Sequence, residues 1–434
     1  MENIEASKPL TVRQMTVQGW VVCLTASLFF FFEFVQMMMF NALMPSLMHD
    51  LHIDSVATGY VSSAYFLGTS VFILPAGLLL DRFSTKRLIV SAMILCIVGT
   101  VLFSLANDLS ILIFSRFLTG VGGAFPLLCC LRLSSRWFPP HRWALISGVM
   151  VTMGFLGGAL GQIVMEDLIV LIGWRHALQV DAVLGVLFLI MIFWLVKDYP
   201  QGIRVAQAKS SIRLFLKQLG KVLRNYQNWG FGGYTALINL PVMILAAEWG
   251  QMYLHQVFAL TPHQAVWVSS MILFGTIVGS PTLGWLSDYL TRRRFPMLFF
   301  AIITLVLFIA IMFIASWSFV TLLILFFSLG FTTSAQVIAY PAVSESNPAN
   351  LTGTALGLAS LIIMFMPVIA QNLFGWLIQW DWQPHYIHNV PQYNPSDYLR
   401  ALMILPVSCI ISIVLIYIAR ETYCRIQPAE GEDE

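Results

Sequence analysis

The stretch Gly77-Leu-Leu-Leu-Asp81-Arg82-Phe-Ser-Thr-Lys86-Arg87 recurs 207 residues later as Gly284-Trp-Leu-Ser-Asp288-Tyr-Leu-Thr-Arg292-Arg293-Arg294. Glycine, leucine, aspartate and a basic cluster fall in register, and each copy closes a long apolar run. A second echo, Pro139 through Gly148 against Pro348 through Gly357, has an offset of 209. Two separate echoes at nearly one offset mark an internal duplication. The repeated unit is apolar throughout. Of 434 residues, 58% are hydrophobic and 10% charged, with 32 Phe, 20 Met and 13 Trp, and mean hydropathy is +0.81. A water-soluble chain of this size could not hide so much apolar surface. Soluble enzymes, nucleic-acid binders and secreted scaffolds are excluded, and a net charge of +2 gives no argument for a polyanionic partner.

A hydrocarbon layer about 30 Å thick needs roughly 20 apolar residues in a helix. The chain offers twelve such segments, near 20–43, 57–80, 88–105, 111–131, 143–165, 177–196, 229–252, 265–286, 296–315, 319–341, 354–378 and 400–419. The first is read as a retained helix, because no small-residue cleavage site follows a short apolar core. The predicted fold is all-α: twelve transmembrane helices in two pseudo-symmetric halves, 1–196 and 229–434, joined by a hydrophilic linker at 197–228. With the N-terminus inside, 20 of the 23 Lys and Arg fall on the cytoplasmic side, two (Arg175 and Arg400) on the other, and Arg116 within a span. That asymmetry places both termini in the cytoplasm. In the linker, Ile212, Phe215, Leu216, Leu219 and Leu223 are spaced for one face of an amphipathic helix at the inner leaflet; a solvated basic linker is the other reading. The six cysteines form no CxxC and read as packing residues, with no disulfide, metal or cofactor framework implied.

The duplicated stretch resembles the loop signature G-x-L-x-D-R-x-G-R-K of the major facilitator superfamily, in the same place and repeated in the same way. The first copy has Ser84 where the family has glycine. Arg116-Phe-Leu-Thr-Gly120-Val-Gly122-Gly-Ala124 in span four is similar to the family's second motif, R-x-x-x-G-x-G. The resemblance implies a transporter working by alternating access. Gly77, Asp81, Arg82, Gly284 and Asp288 then belong to gates that latch the halves together at the cytoplasmic end and release for inward opening. The bland alternative is that these Asp-Arg pairs cap helix ends at the membrane boundary.

Ionisable groups inside spans are costly, and each is a functional hypothesis. Glu33 lies near the middle of span one, with Gln36 and Phe40 at i+3 and i+7 on one helical face. The resemblance puts spans one, four, seven and ten around a central cavity, so Glu33 and Arg116 are expected at one site. Burial favours the neutral carboxyl and a nearby arginine the ionised one, the balance that proton coupling needs. A structural carboxylate between helices is the alternative for Glu33. Asp181 and Glu248 lie nearer the span ends and could face either cavity or interface, whereas Glu166 and Asp167 are expected to be solvated. Asn239, with Tyr234, on span seven, and Gln336 with Tyr340 on span ten, complete the candidate solute contacts. Gln371, Asn372 and Tyr65 are neutral candidates that interhelical hydrogen bonds would equally explain.

No P-loop, HExxH or GxSxG occurs, so neither ATP-driven transport nor an enzyme is expected. Span five is glycine-rich but lacks the Gly-Pro of the family's antiporter motif, which favours uptake over export of drugs or siderophores. The expectation is a monomeric symporter in a bacterial inner membrane, importing a small polar metabolite (an amino acid, organic acid or nucleoside) with protons. A non-transporting sensor or scaffold on the same fold is the rival of another class.

Overall fold

The computed structural model describes residues 12–138, 143–200, 212–313, 317–348, 351–387 and 389–425. Helices make up nearly all of it. The first pass is α1 (Val12–Met38) continued by α2 (Phe40–Leu51); α3 (Ser55–Arg82) and α4 (Thr85–Ser104) follow. The fourth pass is α5 (Leu109–Gly123) and α6 (Pro126–Trp137), and α7 (Trp143–Leu195) comes next. After the linker helix α8 (Ile212–Arg224), one pass comprises α9 (Tyr226–Ile238), a π-helical segment Val242–Trp249 and α10 (Gly250–Phe258). Then come α11 (Pro262–Tyr289) and α12 (Arg294–Phe313). The tenth pass strings α13 (Phe319–Thr333), a 3₁₀ segment Ser334–Ile338 and α14 (Ala339–Glu345). The chain finishes with α15 (Thr352–Gln379), α16 (Pro395–Leu402) and α17 (Ile404–Ile418). A ribbon of two-residue strands, β1 (Tyr386–Ile387) against β2 (Val390–Pro391), is the one departure from helix and loop among the described residues.

Eleven helices among the described residues are long and apolar enough to cross a membrane. One of them is two passes. With 53 residues, α7 would be about 80 Å long if straight, over twice a hydrocarbon layer. It folds back at Gly173, whose φ of 77° and ψ of 158° leave the helical region for one that glycine alone tolerates. The corner is fastened by the next two residues: Trp174 Nε1 donates to Asp50 Oδ2 (2.7 Å) and Arg175 to the Ala106 carbonyl (3.2 Å). Counted so, the described residues make twelve passes.

Local chemistry fixes where passes begin. Asp54 and Asp108 accept from Ala57 and Ile111 N–H at the starts of α3 and α5, and Thr261 with Gln264 forms a capping box on α11. Ser84 caps α4 through Arg87 N–H and also donates to Asp198. Its φ is −59°, so the turn has no need of the glycine found in the related signature. Outward-facing apolar side chains such as Leu171 and Trp194 (76% and 72% exposed) form the lipid-facing skin.

The halves meet along two antiparallel helix pairs. In α3 against α15, Ser55 lies opposite Gly375 and Gly59 opposite Gln371; Ser55 Oγ donates to the Gly375 carbonyl (3.1 Å) and Asn372 Nδ2 to Ser63 Oγ (2.9 Å). In α7 against α11, Gly158 lies opposite Leu273, and Asp167 pairs with His263 at 3.6 Å. These contacts close the end of the bundle away from the termini. At the end that holds the termini, a Cβ placed on Gly77, Gly148, Gly284 or Gly353 would meet nothing within 4 Å. The pairs differ in how far they stay together: Leu74 still lies 3.2 Å from such a Cβ on Gly357, whereas Gly148, its repeat equivalent, faces open space.

Two expectations need correction. Glu166 is buried, because α7 runs on past the expected span end and turns this residue toward α10, where Gln251 Nε2 donates to it (2.9 Å). In α8, Leu216 and Leu223 of the expected apolar face are exposed, as they would be on a face turned to lipid, while Val222 packs inward; the Ile212 and Phe215 side chains lie outside the described residues. Of the six cysteines, all free, five are buried, but Cys424 is only partly so.

Candidate functional site

The intramembrane charges gather where α1, α3, α4, α5 and α7 meet. Glu33 on α1 is buried and accepts a hydrogen bond from the Tyr65 hydroxyl on α3. Gly123 makes room for this contact, since a Cβ there would stand 2.7 Å from the Tyr65 oxygen and 3.3 Å from Glu33 Oε1. One turn on from Glu33, Gln36 ties three helices together. Its amide donates to Asp181 on α7, its Oε1 accepts from Thr100 Oγ1 on α4 (3.0 Å), and its main-chain carbonyl accepts from Arg116 Nη1 on α5 (2.7 Å). Arg116 is sandwiched by rings, its guanidinium carbon 4.8 Å from the Tyr65 centroid and 5.3 Å from that of Phe40. Glu33 and Arg116 thus meet through Tyr65, which bonds the first and lies beneath the second.

Across the junction the seventh pass is irregular. Pro241 has no N–H to give, and the amides of Val242 and Met243 both turn to the Asn239 carbonyl (3.0 and 3.3 Å). From there the backbone runs as a π-helix to Trp249, a conformation that leaves carbonyls and amides to be met from outside. Side-chain amides meet them. Gln162 Nε2 of α7 donates to the Ala246 carbonyl (2.8 Å) and Gln371 Nε2 of α15 to that of Met243 (3.0 Å). Asn41 Oδ1 of α2 receives Gln251 N–H (3.0 Å), and its own amide donates to Gln162 Oε1 and Ser269 Oγ (3.1 Å each). Gly250 is needed where the π segment ends: a Cβ would lie 1.8 Å from the Leu245 carbonyl oxygen.

The other predicted contacts scatter. Asn239 is buried at the entrance to the π segment. Tyr234 donates to the Met297 carbonyl (3.0 Å), and Gln371 and Asn372 are likewise engaged between helices. Gln336 and Tyr340 are half-buried on the tenth pass. The 3₁₀ turn at 334–338 rotates one against the other relative to an even helical face.

In the repeated loops, Gly77 and Gly284 are approached by no neighbouring helix, and Arg82 is exposed. The Asp81 side chain lies outside the described residues. Asp288 binds Arg293 Nη1 (2.6 Å), and the same guanidinium reaches Glu345 (2.7 Å) and Ser287 (3.0 Å). Burial opposes the cation there, but the bonds to Glu345 and Asp288 outweigh it and hold Arg293 above its ordinary pKa. In the first copy Asp198 is the hub, bonded by Ser84 and the Lys86 N–H and lying 3.5 Å from Arg136. Both hubs brace their own half.

The Major Facilitator Superfamily profile matches residues 26–254 and 230–421, nearly the whole chain in two overlapping parts. The chain belongs to the Major Facilitator Superfamily. It resembles the uncharacterized transporter YybO of Bacillus subtilis, 25% identical over 272 residues, which are 58% of this chain and 61% of that protein. The chain therefore spans about three fifths of that relative's length. The membrane sensor protein UhpC of Salmonella typhimurium is 25% identical over 373 residues, 79% of this chain and 82% of its own. A solved structure of a bacterial homolog of the human lysosomal transporter Spinster, inward-facing and unoccupied, superposes with a TM-score of 0.70. It covers 95% of this chain and 99% of that one at 15% identity.

Within this superfamily fold, sequence reasoning singled out Glu33, Gln36 and Arg116 but not the amides that knit the two halves, Asn41, Gln162 and Gln251. Their signal was present, since each is a polar residue several positions inside an apolar run. Asp181 was left open and proves to be the partner of Gln36.

Proposed function

We propose that the chain is a secondary active transporter that takes up a small polar organic metabolite together with protons, by alternating access between its two halves. The observation that carries this reading is the partnering of Glu33 and Asp181. Both are buried, and each is held by a neutral donor, Tyr65 or Gln36, in one network with Arg116. A carboxyl held by a neutral donor keeps a hydrogen bond in either protonation state, so it can load and release a proton without breaking its surroundings. Elsewhere on the seventh and tenth passes, the amides of Asn239 and Gln336 and the phenol of Tyr340 suit an uncharged polar portion of the solute.

In this reading the protein sits as a monomer in a bacterial inner membrane, residues 1–196 and 229–434 moving as two halves about the 197–228 linker, and the distribution of basic residues supports a cytoplasmic terminal end. The contacts sealing the opposite end support an inward-facing state, in which a side chain at Gly77 or Gly284 of the repeated loops would meet nothing. In proteoliposomes with an imposed proton gradient, Glu33→Gln abolishes accumulation of the solute while leaving exchange; unchanged accumulation at every pH removes Glu33 from the mechanism.

A sensor is the second reading, favoured by the similarity to UhpC. It expects ligand binding with no flux, and solute movement into vesicles decides between the two. Flux only outward, against the solute gradient, would favour export.

A further inference from the structure

Arg116 and Glu248 come from opposite halves, one on α5 and the other in the π segment of the seventh pass, and lie within electrostatic reach of each other. Both are essentially fully buried (1% and 0% exposed). Arg116 Nε and Nη2 have no hydrogen-bonding partner, and the Glu248 carboxyl has none beyond the indole of the adjacent Trp249. Isolated buried ions are among the most costly features a protein can keep. Here a guanidinium edge is left without a partner, and a carboxyl from the other half has only its sequence neighbour.

The free atoms define a shape. Nη1 of Arg116 is taken by the Gln36 carbonyl, and the Tyr65 and Phe40 rings lie against the guanidinium. What remains is the Nε–Nη2 edge, the two-pronged side that matches the paired oxygens of a carboxylate. On the far side of the junction Glu248 offers acceptors only. We propose that the solute is a carboxylic acid bearing a hydrogen-bond donor, its carboxylate seated on the Nε–Nη2 edge of Arg116 and its hydroxyl or ammonium group donating to Glu248. This rests on the transport reading above and narrows its substrate class. A solute without a carboxylate would leave the guanidinium edge unmet. Because the two ends of the seat belong to different halves, an acid that fills it also ties the halves together.

The test begins with the unaltered protein in proteoliposomes and in detergent. Its probes are 4-hydroxybenzoate, gluconate, lactate and serine, each beside its carboxamide, with uridine as a solute lacking a carboxylate. Thermal stabilisation and uptake are both read. At least one acid is expected to stabilise and enter, with its carboxamide at least 10-fold weaker. Arg116→Gln should weaken the acid about 10- to 100-fold, the loss of a charge-assisted pair, while leaving its carboxamide unchanged. Glu248→Gln should weaken serine more than the hydroxy acids if the donor is an ammonium group, and both alike if it is a hydroxyl. Equal loss of acid and carboxamide in Arg116→Gln would make the arginine merely structural and overturn the proposal. So would uptake of uridine in preference to every acid, which leaves the transport reading standing. No flux and no stabilisation by any probe would sink both.

Discussion

At the scale of single residues, Tyr65 bears the most consequences. It was legible in the sequence only as a phenol inside span two, yet it joins Glu33 to Arg116. Tyr65→Phe keeps the ring beneath the guanidinium and removes the hydroxyl from Glu33, leaving a buried acceptor short of a partner at a cost of about 1–3 kcal/mol. The expected result is a lower melting temperature in detergent and an altered pH profile of uptake; a variant matching the parent in both would show that the hydroxyl is idle. Glu33 and Arg116 could be found in the sequence because a charge inside an apolar run is conspicuous whatever it touches. The pairings around them could not. Gln36 and Asp181 are 145 positions apart, and only the packing of α1 on α7 brings them together.

At the scale of elements, hydropathy located the passes but not their internal geometry. The π segment at 242–249 is as apolar as the helices around it, so its composition does not distinguish it, and the Ser and Gln of the 3₁₀ segment at 334–338 do not announce a change of helix type. Pro241 and Gly250 are the visible traces. The turn between the fifth and sixth passes was expected between 165 and 177, and Gly173 falls inside it; what hydropathy did not show is that helix runs right up to the corner on both sides. Gly250→Ala would force a methyl group against the Leu245 carbonyl, and the segment must then shift or break. The expected cost is roughly 1–3 kcal/mol, as for other overpacked sites, together with slower transport. Unaltered stability and rate would mean that the π geometry is easily surrendered.

At the scale of the whole molecule, the duplication read from two loops accounts for the twelve-pass plan and for the two antiparallel pairs that join the halves. The working cycle requires those pairs to come apart at the sealed end. Ser63 and Asn372, in contact there, are suitable positions for paired cysteines, since five of the six native thiols are buried. Oxidative crosslinking of Ser63→Cys with Asn372→Cys should stop solute accumulation, with recovery on reduction; full transport by the crosslinked protein would rule out opening along this seam. The seam is also uneven. Because α3 and α15 keep company as far as Leu74 and Gly357 while α7 and α11 separate earlier, the molecule opens like a book, with a spine on one side and a free fore-edge on the other. Two copies of one ancestral stretch thereby work under different mechanical loads: a bulkier residue at Gly357 would jam the binding, while the same change at Gly148 would merely thicken a loose page.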